Sequence, residues 1–130
     1  MPTDTDSGPA PETVRVLLVE DEMLIGMDLA VMLEDSGFEV DGPHASADAA
    51  LTAIERTEPD IAVLDINLGG DQTSAPVADM MVRKSLPFIF LTGYSSHGNA
   101  GIEQIDDAPL ITKPVRLEIL LKELRDLLST

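Results

Sequence analysis

The sequence predicts a single α/β domain of the doubly wound class, in which helices cover both faces of a parallel sheet. Short apolar runs, each suited to one buried strand, recur along the 130 residues, and helical segments separate them. This alternation favours strand–helix units arranged in series. The length suits one domain with a substantial core, and 44% of the residues are hydrophobic, as in ordinary globular proteins.

The predicted elements alternate from residue 14 onward. Apolar runs predict strands at 14–19, at 38–40 (ended by Gly42-Pro43), at 61–64, at 88–91 and at 110–111. Helices are predicted at 22–36 (stopped by Gly37), at 47–56 (with Ser46 as N-cap), at 77–85 after a loop at 67–76, and at 116–128. The last helix presents one leucine-rich face, formed by Leu117, Leu120, Leu121, Leu124, Leu127 and Leu128. Residues 93–108 are rich in glycine and acidic side chains, and we expect a short, mobile helix there.

Composition excludes several classes of function. The chain has no cysteine, which rules out disulfides, thiolate metal sites and a cysteine nucleophile. The net charge of −16 argues against binding to nucleic acid or to anionic membranes, whereas basic protein partners stay possible. The polar composition of residues 1–13 predicts a disordered tail and not a signal peptide, and we expect residues 14–130 to form the domain. No apolar run is long enough for a membrane span. We therefore expect a cytoplasmic protein.

Polar residues follow the predicted strands. Glu20 and Asp21 follow the first strand, Asp65 follows the third, Thr92 the fourth and Lys113 the fifth. Taken singly, each has an ordinary explanation as a turn or loop residue. Because the carboxyl ends of parallel strands share one edge of a sheet, we expect these five side chains to converge.

Three carboxylates at one place repel each other unless a cation neutralises them, and oxygen ligands suit Mg²⁺. A carboxylate in such a site can attack phosphorus and form an acyl phosphate. Lys113 would supply positive charge and Thr92 a hydroxyl donor for the phosphoryl oxygens. The pattern predicts an aspartyl-phosphate site centred on Asp65.

Four motifs resemble those of response regulator receiver domains in two-component signalling, over about residues 14–128. They are LLVEDE at 17–22, VLDINL at 63–68, LTG at 91–93 and TKP at 112–114. The resemblance implies a flavodoxin-like (βα)5 fold, with five parallel strands in the order 2-1-3-4-5. It also implies a phosphodonor, either a histidine kinase or a histidine phosphotransfer protein. The last predicted helix ends near the end of the sequence, so we expect a receiver that acts without an output domain.

The resemblance assigns a role to each site residue. Asp65 is the phosphoacceptor, Thr92 the switch hydroxyl and Lys113 the ion-pair partner of the phosphoryl group. The implied Mg²⁺ ligands are Glu20, Asp21, Asp65 and the backbone carbonyl of Asn67. The protein is then a stoichiometric switch that assists its own phosphorylation, and not a turnover enzyme.

Two features depart from the common receiver pattern. Leu110 stands where receivers usually carry a tyrosine or phenylalanine switch residue, and a leucine can swing inward but has no hydroxyl. Residues 87–94, PFIFLTGY, resemble the FATGUY subgroup of single-domain receivers, which are associated with histidine kinases of the HWE type. Tyr94 is a candidate replacement for the missing aromatic, or a loop residue that faces solvent.

Other interpretations stay open. A pseudo-receiver would use the same fold as an interaction module that never gains phosphate. A phosphatase of the haloacid dehalogenase type would need Asp-x-Asp after the first strand, where this chain has Glu20-Asp21-Glu22. His44 and His97 lack partners at metal-ligand spacing, so we interpret both as structural or surface residues.

The first helix has few polar positions. Its excess of methionine and leucine predicts either a docking patch for a kinase helix pair or a wide core face.

Overall fold

The structure is a computed structural model that describes residues 13–93 and 108–129. Within these two ranges, the strands are β1 (Arg15–Val19), β2 (Glu39–His44), β3 (Ile61–Asp65), β4 (Phe88–Thr92) and β5 (Leu110–Thr112). The helices in the same ranges are α1 (Met23–Asp35), α2 (Ala47–Thr57), α3 (Ala75–Arg83) and α4 (Leu117–Leu128). All strand pairs are parallel and their order is β2-β1-β3-β4-β5. The predicted doubly wound fold and the strand order 2-1-3-4-5 are confirmed.

Each face of the sheet has its own apolar core. Leu17 of β1 and Phe90 of β4 belong to the core beneath α2 and α3. Their chain neighbours Leu18 and Leu91 point to the other face and pack with Leu120 and Leu124 of α4. Since successive side chains of a strand point to opposite faces, a strand covered on both sides must be apolar throughout. This explains the continuous apolar runs of β1, β3 and β4.

The end of β2 differs from the prediction that Gly42-Pro43 stops the strand. The structure continues β2 to His44 by means of a β-bulge, in which the residues between Asp41 and His44 together lie opposite Leu18. Gly42 has φ +132°, and a Cβ atom there would lie 2.4 Å from the Leu18 carbonyl oxygen. A glycine is therefore required. An edge strand tolerates a proline inside a bulge, because the missing N–H breaks no ladder on its open side.

Helix boundaries agree with the prediction to within two residues. Ser46 caps α2 as expected, since its hydroxyl accepts a hydrogen bond from the Ala49 N–H at 3.1 Å. Helix α3 begins two residues earlier than predicted, with Pro76 in its first turn, where a missing N–H costs nothing. Apart from residue 13, the predicted tail lies outside the described residues, and so does most of the 93–108 segment. No described helix is both long and apolar enough to cross a bilayer.

Candidate functional site

The carboxyl ends of the central strands bring three acidic side chains together. Val19 pairs with Leu64, so the residues that follow, Glu20 and Asp65, lie side by side. Glu20, Asp21 and Asp65 can each place one carboxylate oxygen within 4.8 Å of the other two. Glu20 and Asp65 are buried, and Asp21 is partly exposed. The predicted convergence of these side chains is present in the structure.

Lys113 bridges this acidic cluster. Its Nζ lies 2.8 Å from Glu20 Oε2 and 3.0 Å from Asp65 Oδ2. Glu22, which the motif analysis did not single out as a site residue, approaches the same ammonium at 3.9 Å. The backbone of Lys113 is anchored as well, because its N–H donates to the Thr92 carbonyl at 2.7 Å. One ammonium thus faces several carboxylates, and the site carries excess negative charge.

The excess negative charge of the site affects the ionisation of Asp65. Burial, together with a hydrogen bond and charge repulsion from Glu20, raises the pKa of Asp65 from 3.8 to about 7, although Lys113 pulls the pKa down. Burial also opposes the charged form of Lys113, but Glu20 and Asp65 outweigh it and raise the pKa of that ammonium. In the absence of any further cation, the Asp65 carboxylate is poorly stabilised.

The donor set fits a small, hard dication. Glu20 Oε1 accepts a hydrogen bond from the Glu22 N–H at 3.1 Å. Glu20 Oε2 is buried and accepts no hydrogen bond of good geometry from the described residues, although Lys113 lies beside it as an ion-pair partner. Because the same ammonium also pairs with Asp65, one positive charge serves two buried carboxylates, and a further cation would lower the cost of burying them. Oxygen-only ligands with a net negative charge are those that Mg²⁺ prefers.

A cavity of about 600 Å³ opens onto the acidic cluster. Its wall includes Asp21, Asp65 and Lys113, together with Asn67 and Gly69 from the loop after β3. That loop folds back on itself through a bridge between Asn67 and Thr73. Gly69 has φ +89°, and a Cβ atom there would lie 3.2 Å from Asp21 Oδ2. The glycine therefore lets the loop approach the carboxylate closely.

Of the predicted switch residues, the structure describes Thr92 and Leu110, and both are directed elsewhere than the acidic carboxylates. Thr92 is buried, and its hydroxyl contacts the Gly93 carbonyl at 3.3 Å. Leu110 is 43% exposed, because it points to the face of β5 opposite the buried Ile111, so it has not swung inward. Tyr94 and His97 lie outside the described residues.

Comparison with known proteins identifies the family. The profile of the response regulator receiver domain matches residues 16–125. The chain belongs to the response regulator receiver domain family. The solution structure of SdrG from Sphingomonas melonis Fr1 is 34% identical, with a TM-score of 0.76 over 89% of this chain and 97% of that one. A CheY-like receiver protein from Methanospirillum hungatei JF-1 is 28% identical, with a TM-score of 0.77 over 91% and 95% of the two chains.

Curated relatives of this receiver are longer proteins. The phyllosphere-induced regulator PhyR of Methylorubrum extorquens is 34% identical over 107 residues, which are 81% of this chain and 40% of PhyR. The transcriptional regulatory protein PdtaR of Mycobacterium tuberculosis is 32% identical over 81 residues, 62% of this chain and 40% of PdtaR. The receiver thus spans less than half the length of these two relatives.

The backbone of the receiver's Glu20 is held by a residue that sequence reasoning had set aside. The Glu20 N–H donates to the His44 carbonyl at 2.9 Å. The His44 side chain is half-buried, and its Nε2 lies 2.8 Å from Asp41 Oδ1, which agrees with a structural role. No motif spacing signals this contact, because it depends on the β2 bulge.

Proposed function

We propose that this receiver accepts a phosphoryl group on Asp65 from a phosphohistidine, in a Mg²⁺-dependent phosphorelay, and then changes conformation. The observation that carries the proposal is the cluster of Glu20, Asp21 and Asp65, in which the buried Glu20 and Asp65 are bridged by the ammonium of Lys113. Such a cluster is poorly satisfied as a structural feature. It suits a site that gains a dication and then a phosphoryl group.

The residues present would hold Mg²⁺ through the carboxylates of Glu20, Asp21 and Asp65 and the Asn67 carbonyl. Bound there, the ion supplies positive charge that favours ionised Asp65 and screens an incoming phosphoryl group. An Asp65 oxygen attacks phosphorus, the P–N bond to the donor histidine breaks, and the imidazole leaves with the bonding electrons. Lys113 remains beside Asp65 to pair with the new phosphoryl charge, and Thr92 turns from Gly93 to donate to it. The protein serves as a stoichiometric phosphoacceptor, not as a turnover enzyme.

Leu110 occupies the position of the usual aromatic switch residue and is exposed, so this position supplies no aromatic relay. We propose instead that phosphorylation reorders residues 93–108. Amide exchange with and without beryllofluoride tests this idea, and equal protection of the segment in both states would contradict it.

The phosphodonor docks on an exposed apolar strip of α1, formed by Met23, Leu24, Met27 and Val31. These side chains are between 44% and 84% exposed and share one side of the helix. A separate cavity of about 200 Å³ lies on the other flank of α1, between Ile25, Asp28, Leu29 and Met32 and the segment Lys113-Pro114-Val115. Apolar surface of this kind, on the helix that begins two residues after Asp21, fits the helix pair of a histidine kinase or phosphotransfer protein.

Finer assignments rest on the sequence. The PFIFLTGY segment at 87–94 supports membership of the FATGUY subgroup, with an HWE-type kinase as donor in the bacterial cytoplasm.

The decisive test is incubation with Mg²⁺ and a small phosphodonor, followed by intact mass measurement. We expect a base-labile mass increase of one phosphoryl group, which Asp65→Asn and chelation each abolish. Asp60→Asn is the matched control, because it removes one carboxylate at the opposite edge of the sheet, where Asp60 accepts from the Arg15 N–H at 2.8 Å. Absence of the adduct in the unchanged protein would favour the pseudo-receiver.

Docking is tested separately. Leu24→Ser should slow phosphotransfer from a cognate kinase by about tenfold or more while leaving labelling by the small phosphodonor unchanged. Val82→Ser removes an exposed apolar side chain from α3 and should affect neither reaction. Equal slowing by both variants would argue against α1 as the docking surface.

A further inference from the structure

We propose that Asp41 is a positioning residue for the cation site: with His44 and Thr57 it fixes the bulge of β2, and the bulge fixes the backbone of Glu20. This inference rests on the proposed function, because the site that Glu20 serves is the phosphoacceptor site. It adds residues on a neighbouring strand and on α2 to that site. Their link to the acidic cluster is the backbone hydrogen bond between His44 and Glu20.

The bulge creates the contact between Asp41 and His44. In a regular strand, side chains at i and i+3 point to opposite faces. Here Asp41 pairs with Leu17 and His44 pairs with Val19, so three residues of β2 match two residues of β1. The extra residue of β2 brings Asp41 and His44 to the same face of the sheet. Their side chains are 20% and 23% exposed, and the His44 Nε2–Asp41 Oδ1 distance is 2.8 Å. The side-chain pair therefore locks the bulged conformation.

Helix α2 anchors the same carboxylate. The Thr57 hydroxyl donates to Asp41 Oδ2 at 2.6 Å and also lies 2.8 Å from the Ala53 carbonyl. Arg15 donates to the Thr57 carbonyl and contributes positive charge near Asp41. Each oxygen of the Asp41 carboxylate thus has its own hydrogen-bond partner, which ties the end of β2 to the last turn of α2.

Two contacts carry this anchoring to the cation site. The His44 carbonyl accepts the Glu20 N–H at 2.9 Å, at the first residue beyond β1. The ring of Pro43, inside the bulge, lies against Gly26 of α1, where an added Cβ would be 2.6 Å from Pro43 Cβ and 3.4 Å from Glu20 Cβ. Glu20 is fully buried and reaches Lys113 with Oε2. A shift of the bulge would displace its backbone and carboxylate together.

The test compares the Mg²⁺ affinity of variants of the 130-residue chain by calorimetry, under conditions where urea titration shows every variant folded. Asp41→Asn and Thr57→Val should each weaken Mg²⁺ binding, Asp41→Asn by about tenfold, the lower end of losses seen when groups that orient metal ligands are changed. Thr57→Ser keeps the hydroxyl and should bind Mg²⁺ within about twofold of the unchanged protein. Asp60→Asn makes the same charge change away from the site and should also bind normally, which separates positioning from net charge.

A second readout does not depend on the metal. Without Mg²⁺, Asp41→Asn should accelerate hydrogen exchange at the Glu20 amide, whereas Asp60→Asn should not. Unchanged Glu20 exchange and unchanged Mg²⁺ affinity in Asp41→Asn would overturn the positioning role. If the unchanged protein binds no Mg²⁺, the proposed function fails, and the Glu20 exchange result still decides whether Asp41 positions that backbone.

Discussion

Asp41 on β2 and Asp65 on β3 lie on the two strands that flank β1, and their pKa values are shifted in opposite directions. Burial raises the pKa of Asp65 to about 7, with Glu20 adding repulsion that Lys113 only partly offsets. Partial burial alone would raise the pKa of Asp41 too, but hydrogen bonds from Thr57 and His44 outweigh it and hold that pKa below 3.8. Asp41 has donors for both oxygens, whereas Asp65 shares one ammonium with Glu20. The well-satisfied carboxylate holds structure in place, and the poorly satisfied one is available for chemistry.

The largest expected effect is the loss of phosphoryl labelling when Asp65 is replaced. Asp65→Asn should remove all phosphoryl labelling, because an amide cannot form the acyl phosphate. In metal-free buffer at a pH above 7, the same variant should raise the free energy of unfolding by about 1–2 kcal/mol, since it removes repulsion from a buried cluster. Intact mass and urea unfolding measure the two outcomes. A destabilised Asp65→Asn protein would mean that the pair of Asp65 with Lys113 outweighs its repulsion from Glu20.

Adding Mg²⁺ should make the unchanged protein more stable than Asp65→Asn. The ion binds only the folded protein, so at a concentration about 100 times its Kd it should raise the free energy of unfolding by about 2.7 kcal/mol. Asp65→Asn loses a charged ligand and should gain clearly less at the same concentration. Thermal unfolding against Mg²⁺ concentration measures this, with Ca²⁺ as a test of selectivity. Equal gains in both proteins would argue against Asp65 as a ligand.

The pH dependence of the metal-free protein sharpens the contrast. The folded-state pKa of Asp65 is about 7 against 3.8 when unfolded, so the unfolded chain loses this proton first as pH rises. Stability due to Asp65 is therefore full below 3.8 and falls up to about 7, by about 1–2 kcal/mol after allowance for solvent screening. Urea unfolding in the presence of a chelator should show that the free energy of unfolding of Asp65→Asn rises relative to that of the unchanged protein as pH increases across this window. A constant difference would contradict the raised pKa.

The smallest effect concerns Asp41 and has the opposite sign. Asp41→Asn should lower the free energy of unfolding by about 1 kcal/mol near neutral pH, because it weakens hydrogen bonds to a charged acceptor. The folded-state pKa of Asp41 lies below 3.8, so its contribution is present above that value and is lost as pH falls through the folded pKa. Asp41→Asn and the unchanged protein should become equally stable at the acid end of a urea series. A gap that persists there would point to packing, not charge, as the role of Asp41.

Several features of this receiver follow from sequence alone. The apolar runs of β1, β3 and β4 had to be strands buried on both faces, and the polar residues after them had to meet at one edge. The strand pattern of the sequence therefore predicts that Asp65 lies near Glu20 and Lys113. The helical spacing of leucines likewise predicts the apolar face of α4, on which Leu120 and Leu124 are fully buried.

Tertiary structure decided what depends on register and on contacts between distant segments. A proline in a short apolar run ordinarily ends a strand, and only pairing with β1 shows that Gly42 and Pro43 form a bulge and that His44 still belongs to β2. The contacts of His44 with Asp41 and with the Glu20 backbone follow from that one extra residue. Sequence patterns report which side chains prefer burial and where strands end. They do not report a local change of register, because its energy depends on the strand and the helix packed against it.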